Sequence, residues 1–144
     1  MRIFIITAST AALLSLLAMW LGETFLGERI AIIGSFAGLT LSHNPGIAFG
    51  IRLPPVLQEL LIVGALGWMM TLGIRSATSL LHRVGFGCIV GGALGNLIDR
   101  FIDGVVTDYF QVGTFPIFNV ADSFITVGVL FLLADAFGMV RNKR

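Results

Sequence analysis

Charged residues and cysteine are both scarce in this 144-residue sequence. Only 12% of its residues are charged, 56% are hydrophobic, and the mean hydropathy is +0.96. An ordinary soluble domain carries about twice that share of charge, so the composition excludes one and indicates an integral membrane protein. The single cysteine, Cys88, has no partner for a disulfide within the chain, and its apolar surroundings favour a packing role.

A basic surface is also missing. The net charge is +1, and the few cations are scattered along the chain. This distribution excludes the concentrated positive patch that nucleic-acid binding requires. We therefore expect no nucleic-acid partner.

Four apolar segments stand out, at about 3–22, 56–74, 84–98 and 117–140. They predict an all-α polytopic membrane protein with four transmembrane helices, forming a single domain over 1–144. The third segment is short, and we expect its polar end from Asn96 to lie at the membrane surface or to face protein. A cleaved signal peptide is the alternative for the first segment, but its apolar core is long and no small-residue cleavage site clearly closes it.

Glycine recurs every four residues in the third segment, at Gly87, Gly91 and Gly95. On a helix this spacing forms a stripe that lets a neighbouring backbone approach closely. We interpret the stripe as a tight helix-packing surface.

The cations predict the orientation in the membrane. In a four-span arrangement six of them fall on one side: Arg2, Arg75, Arg83, Arg141, Lys143 and Arg144. By the positive-inside rule both termini are cytoplasmic. Most acidic residues then lie at the outer face, in or beside two outer segments at about 23–55 and 99–116, where we expect the chemistry.

The first outer segment contains a predicted β-strand over 39–42, followed by the turn residues Asn44, Pro45 and Gly46. Such an apolar strand could form a lid, a cradle for lipid or a connecting loop, and the pattern alone favours the loop. His43 beside the turn is expected to be solvated or hydrogen-bonded, since no second histidine or cysteine lies near it to suggest a metal site.

Polar residues cluster in "GNLIDRFIDGVVTDYF" (95–110) and "FNVADS" (118–123). Helical spacing places Asn96, Asp99 and Arg100 on one face, and likewise Asn119 and Asp122. Asp99 and Arg100 are as well explained by a structural ion pair as by function. Asp108 and Asp122 favour function more strongly: Asp108 has apolar neighbours on both sides, and Arg100 alone is left to neutralise these acids.

Two carboxyl groups that meet at low dielectric do not both ionise readily, so the pair supplies an acid and a base at neutral pH. The carboxylate can deprotonate a water molecule while the protonated partner stabilises the oxyanion of a peptide carbonyl. Amide hydrolysis is the chemistry that this arrangement favours. No catalytic triad, metal-ligand cluster or phosphate-binding loop competes with it, and we expect no metal or other cofactor.

Two other functions remain open at this point. Intramembrane acids also mark ion pathways, so the chain could be a small ion or proton transporter or channel. No internal repeat is visible and no acid lies at the middle of a predicted helix, which disfavours that alternative. A non-catalytic membrane chaperone or subunit is a third interpretation, in which amides could replace the acids without loss of function.

The motifs "NPGIAF" (44–49), "GNLIDR" (95–100), "VVTDYF" (105–110) and "FNVAD" (118–122) resemble, in order, those of the lipoprotein signal peptidase (signal peptidase II) family. The resemblance runs from about residue 38 to about 127. It implies a four-helix bacterial inner-membrane aspartyl protease with a small extracytoplasmic β-cradle. Its substrate would be a lipid-modified prolipoprotein in the membrane, cut before a diacylglyceryl-modified cysteine. We expect a monomer.

The resemblance also implies roles for individual residues. Asp108 and Asp122 would form the catalytic dyad. Four residues would bind substrate: Asn44, Asn96, Arg100 and Asn119. Asp99 would hold the "GNLIDR" helix end in place, and Gly46 would support the turn.

This sequence departs from the family pattern in three places. The first helix ends in "WLGETFLGER", without the family's Asp-Gln pair and following lysine, and Glu23 is not an obvious substitute. The turn contains Pro45 and Ile47 where the family usually has threonine and alanine. The stretch between Asp108 and Asp122 is brief, which leaves little length for a flexible outer loop.

Overall fold

A computed structural model describes residues 1–46, 53–76 and 79–138 of the chain. Four helices and three strands occur in these ranges, in the order α1 (Arg2–Phe25), β1 (Ile30–Ile33), β2 (Ala37–Asn44), α2 (Pro55–Ser76), α3 (Leu80–Asp103), β3 (Val106–Val112) and α4 (Val120–Ala136). The predicted fold class, a helical membrane protein with a small sheet, is confirmed.

Three of the helices, α1, α2 and α3, are long and apolar enough to cross a membrane. The fourth predicted span corresponds to α4, whose 17 residues give a length of about 25 Å at 1.5 Å per residue. That is somewhat less than the hydrocarbon core of about 30 Å. The predicted end of this span at 140 lies outside the described residues.

Helix α3 lies at the centre of the bundle. Its glycines allow the neighbouring helices to approach it closely. A Cβ atom on Gly87 would lie 2.7 Å from Thr7 Cβ, and one on Gly95 would lie 2.6 Å from Ser15 Cβ. Between them, Gly91 packs directly on the backbone of Ala8 in α1. The glycine stripe is therefore a close contact between α1 and α3, as the four-residue spacing predicted.

A second glycine surface on α3 packs against α4. Gly85 faces Gly128, and Gly92 faces the backbone of Ala121. Residue numbers rise along α3 in the direction in which they fall along α4, so the two helices are antiparallel. At the far end of this pair His82 Nδ1 lies 2.8 Å from an oxygen of Asp135.

Helix α3 is longer than the sequence predicted. Its N-cap is Ser79, whose side chain accepts a hydrogen bond from the backbone N–H of His82, and its C-cap is Gly104, which has a left-handed φ of 90°. The helix continues through its polar end because Asp99 and Arg100 are buried there against protein. The polar end therefore faces protein, one of the two expectations stated for it.

The three strands form one antiparallel sheet in the order β1-β2-β3. In the pairing of β2 with β3, Ser42 lies opposite Asp108 and His43 lies opposite Thr107. The predicted strand over 39–42 is confirmed and extends on both sides. Since side chains alternate between the two faces of a strand, Asp108 and Thr107 project from opposite faces of the sheet.

The close approach of α1 and α3 leads to a first prediction. Gly91→Ala should lower the free energy of unfolding by about 1–3 kcal/mol, because the added methyl group overpacks the contact with Ala8 and Ala11. The midpoint of thermal unfolding in detergent measures the effect. Gly64→Ala on α2 is the matched control, since a Cβ there meets no atom within 4 Å. A midpoint for Gly91→Ala at or above that of the control would contradict the prediction.

Candidate active site

Two carboxyl groups from different elements reach the same cavity. Asp108 comes from β3, Asp122 comes from the first turn of α4, and the cavity that both line has a volume of about 700 Å³. Asn44, Asn96 and Arg100 also line it. The rest of the wall is mostly apolar and is formed chiefly by Ile62, Ala93, Leu97, Val106, Phe115, Pro116, Ile117, Phe118, Ile125 and Val127.

The Asp108 carboxyl group is almost completely buried, with 4% of its surface exposed. Burial, together with the nearby charge of Asp122, raises the pKa of Asp108 to about 7. Two side-chain amides act in the opposite direction: Asn44 Nδ2 lies 3.3 Å from Oδ2, and Asn119 Nδ2 lies 2.8 Å from Oδ1. Asp108 is thus held in place by amides but keeps a substantial fraction of its proton at neutral pH.

Asp122 occupies a different electrostatic environment. Its Oδ1 accepts a hydrogen bond of 2.9 Å from Asn96 Nδ2, and its Oδ2 accepts one of 3.3 Å from the backbone N–H of Asn119. It is the first-turn acid of α4, where the partial positive charge of the helix start stabilises a carboxylate. The two acids of the site therefore differ in what surrounds them.

Asn119 lies behind the two carboxyl groups and is only 3% exposed. Its side-chain oxygen caps α4 by accepting the N–H of Asp122 at 2.9 Å, which completes a capping box. Its Nδ2 donates to Asp108 and also approaches Asn96 Oδ1 at 3.0 Å and Thr107 O at 3.3 Å. Asn119 does not line the large cavity, although the sequence predicted that it would contact substrate.

The turn after β2 is held by Arg100. Its Nη1 donates to Pro45 O at 3.3 Å and its Nη2 donates to Gly46 O at 2.6 Å. The N–H of Gly46 in turn donates to Asn44 Oδ1 at 2.9 Å, which leaves the Asn44 amide nitrogen to reach Asp108. The guanidinium holds the protein's own turn, and Arg100 also lines the cavity, so the expected contact with substrate stays a prediction. Ala48 and Phe49 of the same motif lie outside the described residues.

Within the part of the chain that the structure describes, Asp99 and Arg100 do not form an ion pair with each other. Asp99 is buried and instead binds β3: its Oδ2 accepts the backbone N–H of Thr107 at 2.7 Å. The ion-pair alternative for these two residues was wrong, because neighbouring side chains on α3 point toward different partners. Asp99 anchors the strand that carries Asp108.

Sequence reasoning missed the polar contacts that three residues make around the site. Glu23 Oε1 lies 2.7 Å from His43 Nε2 and 3.1 Å from Thr107 Oγ1, so the helix end that departs from the family pattern is bonded to the sheet. Gln58 is buried at the start of α2 and donates to Pro45 O at 3.2 Å. The hydroxyl of Tyr109 accepts the N–H of Val120 at 3.1 Å. A polar residue in an apolar run was the signal available for Gln58.

No metal centre is evident in the part of the chain that the structure describes. There, no group of three or more His, Cys, Asp or Glu side chains is arranged to hold an ion.

The sequence of this chain is similar to those of known proteins. The family model described as signal peptidase (SPase) II matches residues 3–138. A lipoprotein signal peptidase of Nostoc punctiforme is 37% identical over 142 residues, which cover 94% of this chain and 90% of the relative. One of Caldicellulosiruptor bescii is 36% identical over 133 residues, covering 90% and 86%.

The fold is similar to that of solved bacterial membrane enzymes. One such structure, determined by the in meso method at 2.3 Å resolution, superposes with a TM-score of 0.83 at 28% identity. The alignment covers 98% of this chain and 92% of the solved one. These findings support a peptidase and give no support to the transporter alternative. The chain belongs to the signal peptidase II family.

Proposed function

We propose that this protein is an aspartic endopeptidase that removes the signal peptide from prolipoproteins, with Asp108 and Asp122 as its catalytic dyad. The relatives named lipoprotein signal peptidase support the substrate class. The observation that carries the mechanism is the cavity itself. It brings two carboxyl groups from separate elements together in mostly apolar surroundings, and one of them is buried with a raised pKa.

The different surroundings of Asp108 and Asp122 suggest which of them acts as the acid and which as the base. Burial raises the pKa of Asp108, whereas Asp122 lies at the start of α4 and faces two N–H donors. In the proposed reaction, Asp122 takes a proton from a water molecule as the water attacks the scissile carbonyl. Asp108 donates its proton to the developing oxyanion. Collapse of the intermediate breaks the C–N bond: the proton on Asp122 passes to the leaving amine, and one hydroxyl of the intermediate returns a proton to Asp108 as the carbonyl re-forms.

The surrounding amides are proposed to orient this dyad. Asn44 and Asn96 each donate to one carboxyl group and also line the cavity, so both remain candidates for contact with the substrate backbone. Asn119 has its contacts behind the carboxyl groups, which favours an orienting role over substrate binding. Asp99 and Gly46 support β3 and the turn respectively.

The cavity suits a lipid-bearing peptide. Its volume of about 700 Å³ falls within the usual range of about 300–1,000 Å³ for ligand sites. Its wall is mostly apolar, with polar side chains concentrated at the dyad. An acyl chain or the apolar part of a signal peptide can pack on this wall while the scissile bond reaches Asp108 and Asp122.

The function is tested by incubating the purified protein with a diacylglyceryl-modified prolipoprotein and measuring product masses. Cleavage immediately before the modified cysteine is the expected result. A matched substrate that lacks the lipid should be cut more slowly. If neither substrate is cut, the proposed function is wrong.

The dyad makes a prediction about four variants. Asp108→Asn and Asp122→Asn should each lower the cleavage rate by at least about a hundredfold, because an amide can neither accept the proton of water nor supply an acid. The double variant should be scarcely slower than either single one, since the two residues act as a unit. Initial cleavage rates in detergent measure this.

Asp103→Asn is the control for the dyad. Asp103 ends α3, where its side chain accepts the N–H of Val105 at 3.1 Å, and it does not line the cavity. Its replacement should leave the cleavage rate within about twofold. Substantial turnover by either dyad variant would rule out the aspartyl mechanism.

Arg100 is proposed to act by holding the turn that presents Asn44. Arg100→Lys should lower kcat by about tenfold, or about 1.4 kcal/mol, because one ammonium group cannot bridge two successive carbonyl groups as a planar fork does. The KM should change little if the guanidinium serves the turn. An increase in KM with kcat unchanged would instead support the direct substrate contact that the sequence suggested.

The orientation in the membrane is also a proposal. Helices α1 and α3 pack parallel to each other, and α2 and α4 run antiparallel to them. One end of the bundle therefore holds the end of α1, the start of α2, the end of α3, the sheet and the start of α4. Arg2, Arg75 and Arg83 lie at the other end, which by the positive-inside rule is cytoplasmic. Arg141, Lys143 and Arg144, which carry part of this argument, lie outside the described residues. In a bacterial inner membrane, the site would then be near the outer face.

A fusion tests this orientation. A reporter enzyme that is active only outside the cytoplasm should give no signal when it is attached after Arg144. The same reporter inserted after Gly34, in the turn between β1 and β2, should be active. Activity after Arg144 and silence after Gly34 would show that the orientation is the reverse of the one proposed.

A further inference from the structure

One oxygen atom of Glu23 links the end of α1 to two neighbouring strands of the sheet, β2 and β3. Glu23 Oε1 lies 2.7 Å from His43 Nε2 and 3.1 Å from Thr107 Oγ1. His43 and Thr107 lie directly opposite each other in the pairing of β2 with β3. Their side chains therefore share one face of the sheet, and a single carboxylate accepts a hydrogen bond from each strand.

The opposite face of the same strands carries the site. Asn44 follows His43 and Asp108 follows Thr107, so both project from the other face, where they line the cavity. Glu23, His43 and Thr107 do not line that cavity. The contact thus supports the two strands from behind, without access to substrate bound in front.

Thr107 is the residue on which this support converges. Its backbone N–H donates to Asp99 Oδ2 at 2.7 Å, and its carbonyl oxygen accepts from Asn119 at 3.3 Å. Its hydroxyl lies within reach of Glu23 and, at 3.3 Å, of Asp99 Oδ1. The backbone just before Asp108 is therefore held by α1, by α3 and by the residue that caps α4.

We infer that Glu23 is a positioning residue of the peptidase: by binding His43 and Thr107 together it holds Asn44 and Asp108 at the cavity. The inference rests on the proposed function, because it concerns the same dyad. A displacement of about 1 Å at reacting groups can cost about a hundredfold in rate, so a contact made behind the strand can affect catalysis. Glu23 thus serves the site although it departs from the family pattern at this helix end.

The test compares kcat and KM for variants in the lipid-modified prolipoprotein assay. Glu23→Ala should lower kcat by about tenfold and leave KM within about twofold, since Glu23 does not reach the cavity. Glu23→Gln should keep most of the activity, because the amide oxygen still accepts hydrogen bonds at the same position. Glu28→Ala, in the exposed segment after α1, is the matched control and should behave as the wild type.

Thr107→Val provides an independent variant that keeps the side-chain shape and removes the hydroxyl. It should lower kcat to a similar degree, and the double variant Glu23→Ala/Thr107→Val should be about as slow as either single one, because both changes break the same contact between Glu23 and Thr107. This variant decides the matter if Glu23→Ala fails to fold.

Three outcomes would overturn the inference: wild-type kcat in Glu23→Ala, or in Thr107→Val; an increase in KM as the main effect; or loss of activity in Glu23→Gln equal to that in Glu23→Ala. In each of these cases the wild-type protein still cleaves, and the proposed function stands. Absence of cleavage by the wild type would instead remove the proposed function, and this inference with it.

Discussion

The side chain of Asn119 is the contact on which the site depends. Its oxygen caps α4 at Asp122, and its nitrogen donates to Asp108 and approaches Asn96 on α3. One buried amide therefore fixes the relative positions of β3, α3 and α4, each of which carries a residue of the site. Because an amide offers both a donor and an acceptor, it can satisfy a helix start and a carboxyl group at the same time.

Burial is costly for charged groups, and Asp108 is almost completely buried while Asp122 is partly buried. In this fold the cost is offset by directed N–H donors: amides of Asn44 and Asn119 for Asp108, and the Asn96 amide with a backbone N–H for Asp122. The apolar walls raise the pKa of Asp108, while the amides keep its position well defined. Desolvation and hydrogen bonding thus act in opposite directions on the pKa of the same group.

Close helix packing is what brings these donors together. The glycines of α3 allow α1 and α4 to approach on two sides, so that the end of α1 reaches the sheet and the start of α4 reaches Asn96. A bundle with larger residues at these contacts would separate the elements by several ångströms. The glycine stripes and the polar site are therefore parts of one arrangement, although they lie at different heights in the bundle.

The sequence by itself determined the membrane character, the helical segments, the strand before the turn and the positions of Asp108 and Asp122, because apolar runs and spaced motifs are local properties. Only the tertiary structure decided that Arg100 holds Gly46, 54 positions earlier, and that Glu23 reaches Thr107, 84 positions later. It also decided that Asn119 lies behind the carboxyl groups of Asp108 and Asp122. Contacts of this kind depend on how the helices pack, and no local pattern encodes which of several polar groups will meet.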